Sequence, residues 1–259
     1  MIKAMYTAAA GMTAQQTQVD VIANNLANVN TGGFKRSLTH FEDLLYLTKT
    51  QPGAGVGGDS VLSGVQIGSG ARLVSTSKMH AQGVLAQTNN KLDVAIQGEG
   101  FFEIEGPGGQ QLYTRDGHFV KSANGELLTG GGFRLVPAIT IPDDATHITI
   151  SADGTVSYAL GDSNPELGQL TVVRFVNPAG LSAEGGNLFS ATAASGDPRT
   201  LVAGTEGAGQ ILQGYLEGSN VDVASELIQL ILAQRAFEVN SRAIKTADDM
   251  LNTTNNLTR

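Results

Sequence analysis

The chain contains no cysteine, which removes disulfides and thiolate metal sites from consideration. It has no tryptophan and few other aromatics, so platforms on which bases could stack are scarce. Charged residues make up only 15% of the chain, against about 25% in ordinary globular proteins. The charge that exists leans acidic, at a formal −8, with no basic stripe to neutralise phosphates. This composition argues against a nucleic-acid partner. No run of about 18 apolar residues occurs, so no helical membrane span is predicted. Lys3 precedes an apolar stretch, Ala4-Met5-Tyr6-Thr7-Ala8-Ala9-Ala10, that is too short and too broken by Thr7 for a signal peptide. It reads as mature sequence, and export without a cleaved signal peptide is the expectation. The scarcity of charge suggests a surface covered by neighbouring subunits.

Glycine, by contrast, is abundant: 33 of 259 residues, where roughly 7% is usual. Glycine reaches positive φ without steric cost, so the excess predicts many tight turns. The 41% apolar content is enough for a packed core in one or two domains.

The two ends share a pattern that the middle lacks. Met5, Met12, Val19 and Leu26 recur every seven residues, with Ile2, Ala9, Ile22 and Ala23 filling in beside them. Near the other end Val223, Leu230, Phe237, Ile244 and Leu251 repeat the same interval, with Ala233, Asn240 and Ala247 between them. Both patterns predict helices with coiled-coil-like seams, each interrupted by a polar residue, Gln16 in one and Asn240 in the other. From Ala4 to Phe34 the only charged residue is Asp20, so the first helix lacks the usual charged flanks of a coiled coil in water. Partners on several sides would explain this, as would burial within its own domain. Asp222 is positioned to cap the second helix, and Glu238 and Arg242 form a favourable i,i+4 pair on it.

Between the ends the period drops to two. Leu92, Val94 and Ile96 alternate with Asp93, Ala95 and Gln97, which predicts a strand with one buried face. Phe102–Glu105, Ile148–Ile150 and Val156–Tyr158 read likewise, and Asp116-Gly117, Asn124-Gly125 and Asp153-Gly154 are hairpin signals. Pro137 and Pro142 bracket a short edge strand or connector. The glycine-rich run Gln51–Gly58 reads as a linker: a surface loop, or an arm reaching neighbouring subunits. The predicted fold is α+β. A discontinuous helical domain pairs residues 1–35 with 220–259, an extended arm spans 36–70, and an all-β domain spans 71–219.

No catalytic, cofactor-binding or metal-ligating set emerges. His40, His80, His118 and His147 lack ligand spacing and read as solvated or turn residues. Gly98-Glu99-Gly100 lacks the third glycine of a dinucleotide fingerprint and leads into a strand, so it reads as a turn. Gly58-Asp59-Ser60 imitates a hydrolase nucleophile block but has no histidine late in the chain to serve as base. Asp143-Asp144 and Asp248-Asp249 read as solvated carboxylates.

Several blocks in order carry a resemblance. Asn24-Asn25-Leu26-Ala27-Asn28-Val29-Asn30-Thr31-Gly32-Gly33-Phe34-Lys35-Arg36, the stretch Gln213–Asp222, and the helical Gln234–Glu238 and Thr246–Leu251 resemble the flagellar rod and hook axial proteins. Leu92–Phe102, Tyr113–Gly117 and Asn177–Leu181 are similar to that family's β-domain landmarks. Phe237 departs from the tyrosine common at its position, and glycine is unusually dense after Ala54. The resemblance implies a non-enzymatic, self-assembling subunit of a helical tube, with the terminal helices inside, the β domain outside, and no cofactor. Within the family the linker Tyr46–Ala54 points to the distal rod, with Gln51, Pro52 and Gly53 contributing rigidity; a proximal-rod or hook-type member is the alternative. Hook members carry an extra outer domain for which this chain has no room. The implied partners are further copies of the chain, proximal rod proteins, hook protein, the P- and L-ring bushing and the type III export apparatus. The implied location is the basal body, from periplasm to outer membrane.

Overall fold

The computed structural model of the chain describes residues 2–50, 64–145, 147–159 and 163–257. Two helices enclose a β-rich middle in sequence: α1 (Ile2–Ala27) and α2 (Val223–Leu257). The chain divides into two compact units, one of Met1–Leu26, Ser37–Ser77 and Val223–Arg259, the other of Ala27–Arg36 and Lys78–Asp222.

In the first unit, α1 is rich in alanine, the best helix former, and stops where Asn28-Val29-Asn30-Thr31-Gly32-Gly33 begins. Asp222 directly precedes α2, whose first turn carries Glu226, an anion at the positive end of the helix dipole. The remaining elements among its described residues are two antiparallel pairs: Ser37–Asp43 with Ala71–Lys78, and Leu47–Thr50 with Val65–Ile67. Thus the segment 36–70, read from sequence as an extended arm, contains three strands of its own among its described residues. Leu47 and Thr48 alternate too little to signal a strand, and pairing supplies what local pattern does not.

Among its described residues the second unit has strands, turns and loops and one short 3-10 turn, Pro178–Gly180. Its largest sheet is antiparallel, running Ser182–Gly185, Leu188–Ser190, Gln111–Thr114, Phe102–Glu105, Arg134–Val136, Leu127–Thr129 and Phe119–Lys121 from edge to edge. A three-stranded sheet, His147–Ile150, Thr155–Ala159 and Glu166–Gln169, and three two-stranded ladders complete it. The core is continuous: Phe102, Ile104, Phe119, Leu135, Ile139 and Val172 are among its sealed residues. A satellite cluster stacks Phe101, Tyr113 and Phe175 edge to face, with centroids 4.8 Å apart for Tyr113–Phe175 and 5.9 Å for Phe101–Phe175.

Two hairpin signals are realised. Asn124-Gly125 and Asp153-Gly154 join paired strands, and Gly125 and Gly154 take φ of +82° and +89°. Asp116-Gly117 is different: the strands on either side of it pair elsewhere, so it is a corner. Glycine is needed there because a Cβ at Gly117 would stand 1.6 Å from the Val94 carbonyl oxygen. The strand at Val94–Gln97 is buried on both faces, Ala95 and Asp93 included, where alternation predicts one buried face. Small Ala95 permits close cover on the second face, which a hydropathy pattern cannot register.

Candidate assembly surface

Met5, Met12, Val19 and Leu26 are half-buried along α1, and its most buried positions are instead Ala8, Ala14, Ile22 and Asn25. The expected flanking residues Ile2, Ala9 and Ala23 are exposed. The heptad row thus borders the packed face rather than filling it. On α2 the intermediate seam positions are buried more deeply than the heptad row. Leu230, Ile244 and Leu251 are half-buried and Phe237 is 41% exposed, while the intervening Ala233 and Ala247 are closed. Ala8, Ala14, Ala233 and Ala247 are among the sealed positions because small residues allow the closest approach of backbones. Gly11 shows this directly: a Cβ there would meet Asn240 Nδ2 at 2.9 Å, so the polar seam residue Asn240 rests on a bare backbone. Gln16, the other polar interruption, is exposed and borders an open groove of about 490 Å³ with Val19, Gln234 and Phe237. A second groove of about 460 Å³ is lined by Ile2, Met5, Tyr6, Ala9 and Ile244. On its outer side α2 exposes Leu227, Ile228, Ile231, Leu232 and Val239. Ion pairs of Glu238 with Arg235 (3.0 Å) and Arg242 (3.7 Å) occupy another edge.

The signature block Asn24–Arg36 proves to be structural joinery. Asn24 is exposed on α1, but Asn25 is sealed, and its amide serves three groups. Oδ1 accepts from the Ser37 N–H at 2.9 Å, and Nδ2 donates to the Ser37 carbonyl at 3.0 Å and to Glu226 Oε2 at 3.3 Å. One side chain therefore joins the end of α1, the start of a strand and the first turn of α2.

Further along, within the second unit, Asn28 turns the chain by accepting the Thr31 N–H at 3.2 Å. Gly33 takes φ +68° and lies so close to Arg115 and Asp116 that a Cβ would approach their backbone within 2.8–2.9 Å. Phe34 is buried beneath Lys78, whose ammonium stands 4.5 Å from the ring centroid. Lys35 is fully enclosed and donates to Glu217 Oε1 at 2.6 Å and to the Ala81 carbonyl at 2.8 Å. Arg115 approaches Glu217 Oε2 at 3.2 Å and donates to the carbonyls of Ile96 and Gly98. Burial depresses the basicity of both cations, and Glu217 opposes that shift. His80 packs edge-on to Phe101 and Phe189, and its pKa falls to about 4 through burial first, then repulsion from Lys35, Arg115 and Lys78. It is neutral near pH 7, not the solvated residue that its place in the sequence suggests. Asn220 closes the junction by accepting the Arg36 N–H at 2.7 Å and donating to the Met79 and Ala81 carbonyls at 2.8 and 3.0 Å.

Lys35 and Asn25 belong to the sequence signature, but Glu217, Arg115, Asn220 and Glu226 are partners that no spacing reveals. Lys35 and Glu217 are 182 residues apart. The family blocks Tyr113–Gly117 and Gln213–Asp222 contain Arg115, Glu217 and Asn220 without pairing them, and a charge set among glycine and apolar neighbours in a charge-poor chain is a further hint. Gln51, Pro52 and Gly53 lie outside the described residues, as does Ser60. Among the described residues no group of histidines and carboxylates is arranged to hold a metal ion, and no helix is long and apolar enough to cross a membrane.

Three family models match the chain. A model described as "Flagella basal body rod protein" matches residues 5–35, one described as "Flagellar hook protein FlgE/F/G D1 domain" matches 95–158, and one described as "Flagellar basal body rod FlgEFG protein C-terminal" matches 212–257. Over full lengths, the chain is 48% identical to the flagellar basal-body rod protein FlgG of Borreliella burgdorferi, covering 100% of both. The chain belongs to the flagellar rod and hook axial protein family. It is 47% identical to FlgG of Agrobacterium fabrum, with 96% of this chain and 97% of that one covered. The flagellar hook-basal body complex protein FlhP of Bacillus subtilis is more distant, at 31% identity over 99% of the chain. As a family member the chain is a structural rod subunit of the basal body and not an enzyme.

Proposed function

We propose that the chain builds the distal rod, polymerising helically into a rigid tube that carries motor torque to the hook and surrounds the export channel. The observation that carries this reading is the outer face of α2, where Leu227, Ile228, Ile231 and Leu232 meet solvent side by side on one helix. A contiguous apolar face of this kind calls for a cover. Further copies of the chain supply it if the contact is heterologous and non-closing, which generates a filament. In that assembly α1 and α2 pair as a coiled-coil-like inner layer, with Met5, Met12, Val19, Leu26, Leu230, Phe237, Ile244 and Leu251 bordering the seams. Residues 71–219 form the outer layer, and Gln51, Pro52 and Gly53 stiffen contacts along the tube. Full-length similarity to proteins named FlgG favours the distal rod over a proximal-rod or hook-type role. The neighbours are then proximal rod proteins, hook protein and the P- and L-ring bushing, from periplasm to outer membrane, after type III export without a cleaved signal.

Electron microscopy of basal bodies from a strain lacking the chain tests this. Rods truncated before the hook, restored by the intact gene, are the expected result. Full-length rods with a hook in the deletion strain would refute it. Shortening Gln51–Gly58 should leave the subunit folded and the rod less rigid.

A further inference from the structure

In the second unit Arg174 and Arg199 stand directly opposite each other across the antiparallel pair Thr171–Arg174 and Arg199–Val202. Like charges so placed repel. Arg174 is neutralised: its Nε and Nη2 donate to Glu99 Oε2 at 2.9 and 2.6 Å, and its Nη1 donates to the Glu206 carbonyl at 3.0 Å. The exposed Arg199 has no such anion. Its guanidinium makes no hydrogen bond or ion pair with a described residue, although Asp197 is two residues away and Glu206 borders the same groove. That groove, of about 380 Å³, is also lined by the buried Phe175, by Leu201 and by Val176, which is 78% exposed. A planar cation without an anion, set among apolar side chains, suits a carboxylate on a short stem.

The same unit carries such a group elsewhere. Phe175 packs on Tyr113 of strand Gln111–Thr114, and four strands further across the large sheet lies the edge strand Phe119–Lys121. There Lys121 donates to Asp143 Oδ1 at 2.8 Å and to the Pro142 carbonyl at 3.2 Å, which ties the turn Pro142–Ala145 to the edge. The Ala145 N–H closes the turn on the Pro142 carbonyl at 3.3 Å. Asp144, beside it, is exposed, and its carboxylate makes no hydrogen bond or ion pair with a described residue.

We propose that the Arg199 groove receives the Pro142–Ala145 turn of a second copy of the chain, with Asp144 of one copy paired to Arg199 of the next. The proposal rests on the reading of the chain as a polymerising subunit. Groove and turn are different surfaces, so the contact is heterologous and leaves a free groove at one end of a row of copies and a free turn at the other. Lys121 is a positioning residue here, because it holds the turn through Asp143 and Pro142. At a net charge of −8 the copies repel one another overall, so a single Arg–Asp pair selects which faces meet. The contact adds to the apolar face of α2 and does not build a filament by itself.

The absence of cysteine makes the contact directly readable. Basal bodies are isolated from cells in which the full chain carries both Arg199→Cys and Asp144→Cys, and are treated with a short bis-maleimide. A cross-linker is used because the length of arginine keeps the two backbones farther apart than a disulfide spans. The double variant should give a ladder of linked copies on a denaturing gel. Each single variant should stay monomeric, and the two singles expressed together should stop at dimers. Rods without a ladder, or dimers from either single variant alone, overturn the inference. Absence of the intact chain from basal bodies would remove the rod reading as well, whereas rods without a ladder remove the contact alone. Charge reversal covers the case in which the cysteines block assembly. Arg199→Asp gives Arg174 an anion across the strands, so the fold is kept, yet rods should become about tenfold rarer or more. Adding Asp144→Arg should restore most of them. Unchanged rod numbers in Arg199→Asp, or no rescue by Asp144→Arg, overturn the inference; the second result would give the groove to another anionic partner.

Discussion

The two units solve burial in opposite ways. The β unit seals large side chains such as Phe102, Ile104, Phe119 and Leu135 in one continuous core. The helical unit seals mostly small ones, Ala8, Ala14, Ala233 and Ala247, and leaves many of its large apolar residues, Ile231 at 57% exposure among them, in solvent. Burying a large aliphatic or aromatic side chain is worth about 1.5–3 kcal/mol, and alanine brings far less. On the proposed function, one unit stands alone while the other is half of an interface. Buried charge follows the same division: a three-residue ionic cluster lies inside the self-sufficient unit, and one amide–carboxylate contact pins the dependent one.

Substitutions can break this comparison if it is wrong. The largest effect should come from Phe102→Ala, which empties a sealed site 5.3 Å, centroid to centroid, from Phe119; it should destabilise the β unit by about 3–5 kcal/mol in denaturant titration. Glu217→Leu leaves Lys35 and Arg115 enclosed without their anion and should cost about 3–5 kcal/mol. Lys35→Met should cost less, about 1–3 kcal/mol, because Glu217 keeps Arg115. If Lys35→Met proves the worse of the two, the cluster is not organised around its single carboxylate.

Acid should reveal His80. Its folded pKa of about 4 lies below the unfolded value near 6.5, so the unfolded chain binds the proton first as pH falls. Stability of the β unit should be unaffected by this group above the unfolded pKa. It should then decline by about 3 kcal/mol in all as pH falls toward the folded one, and level off below that. His80→Leu should remove that part of the slope in denaturant titrations at successive pH values. The smallest effect on the monomer belongs to Ile231→Ser. This exposed change should shift monomer stability by about 0.5 kcal/mol or less yet impair polymerisation measured by light scattering.

Sequence periodicity revealed the α+β class, both helices and the hairpins at Asn124-Gly125 and Asp153-Gly154, since each of these is a local pattern. It pointed at Asn25, Gly33 and Lys35 through a family signature, without saying what they do. Of the seam residues read from sequence, Ile22, Ala233 and Ala247 are sealed while the large heptad residues are not, because the closest approach uses small positions, Gly11 among them, that a heptad of large apolar side chains does not mark. The family blocks contained Arg115 and Glu217 but not their pairing, and His80 gave no signal, because these groups meet only once strands far apart in sequence have paired.

The central claim is that the β unit folds by itself and the terminal helices serve assembly. Chains lacking Ala4–Val29 or Ala224–Leu257 keep Lys35, Arg115, Glu217 and Asn220, so the β unit's ionic cluster and its Asn220 junction should remain intact. Thermal unfolding of each truncated chain, paired with electron microscopy under polymerising conditions, is the most direct test. A cooperative transition matching that of the β unit in the full chain, with no filaments formed, is the predicted result. Loss of that transition, or filaments built by either truncated chain, would contradict it.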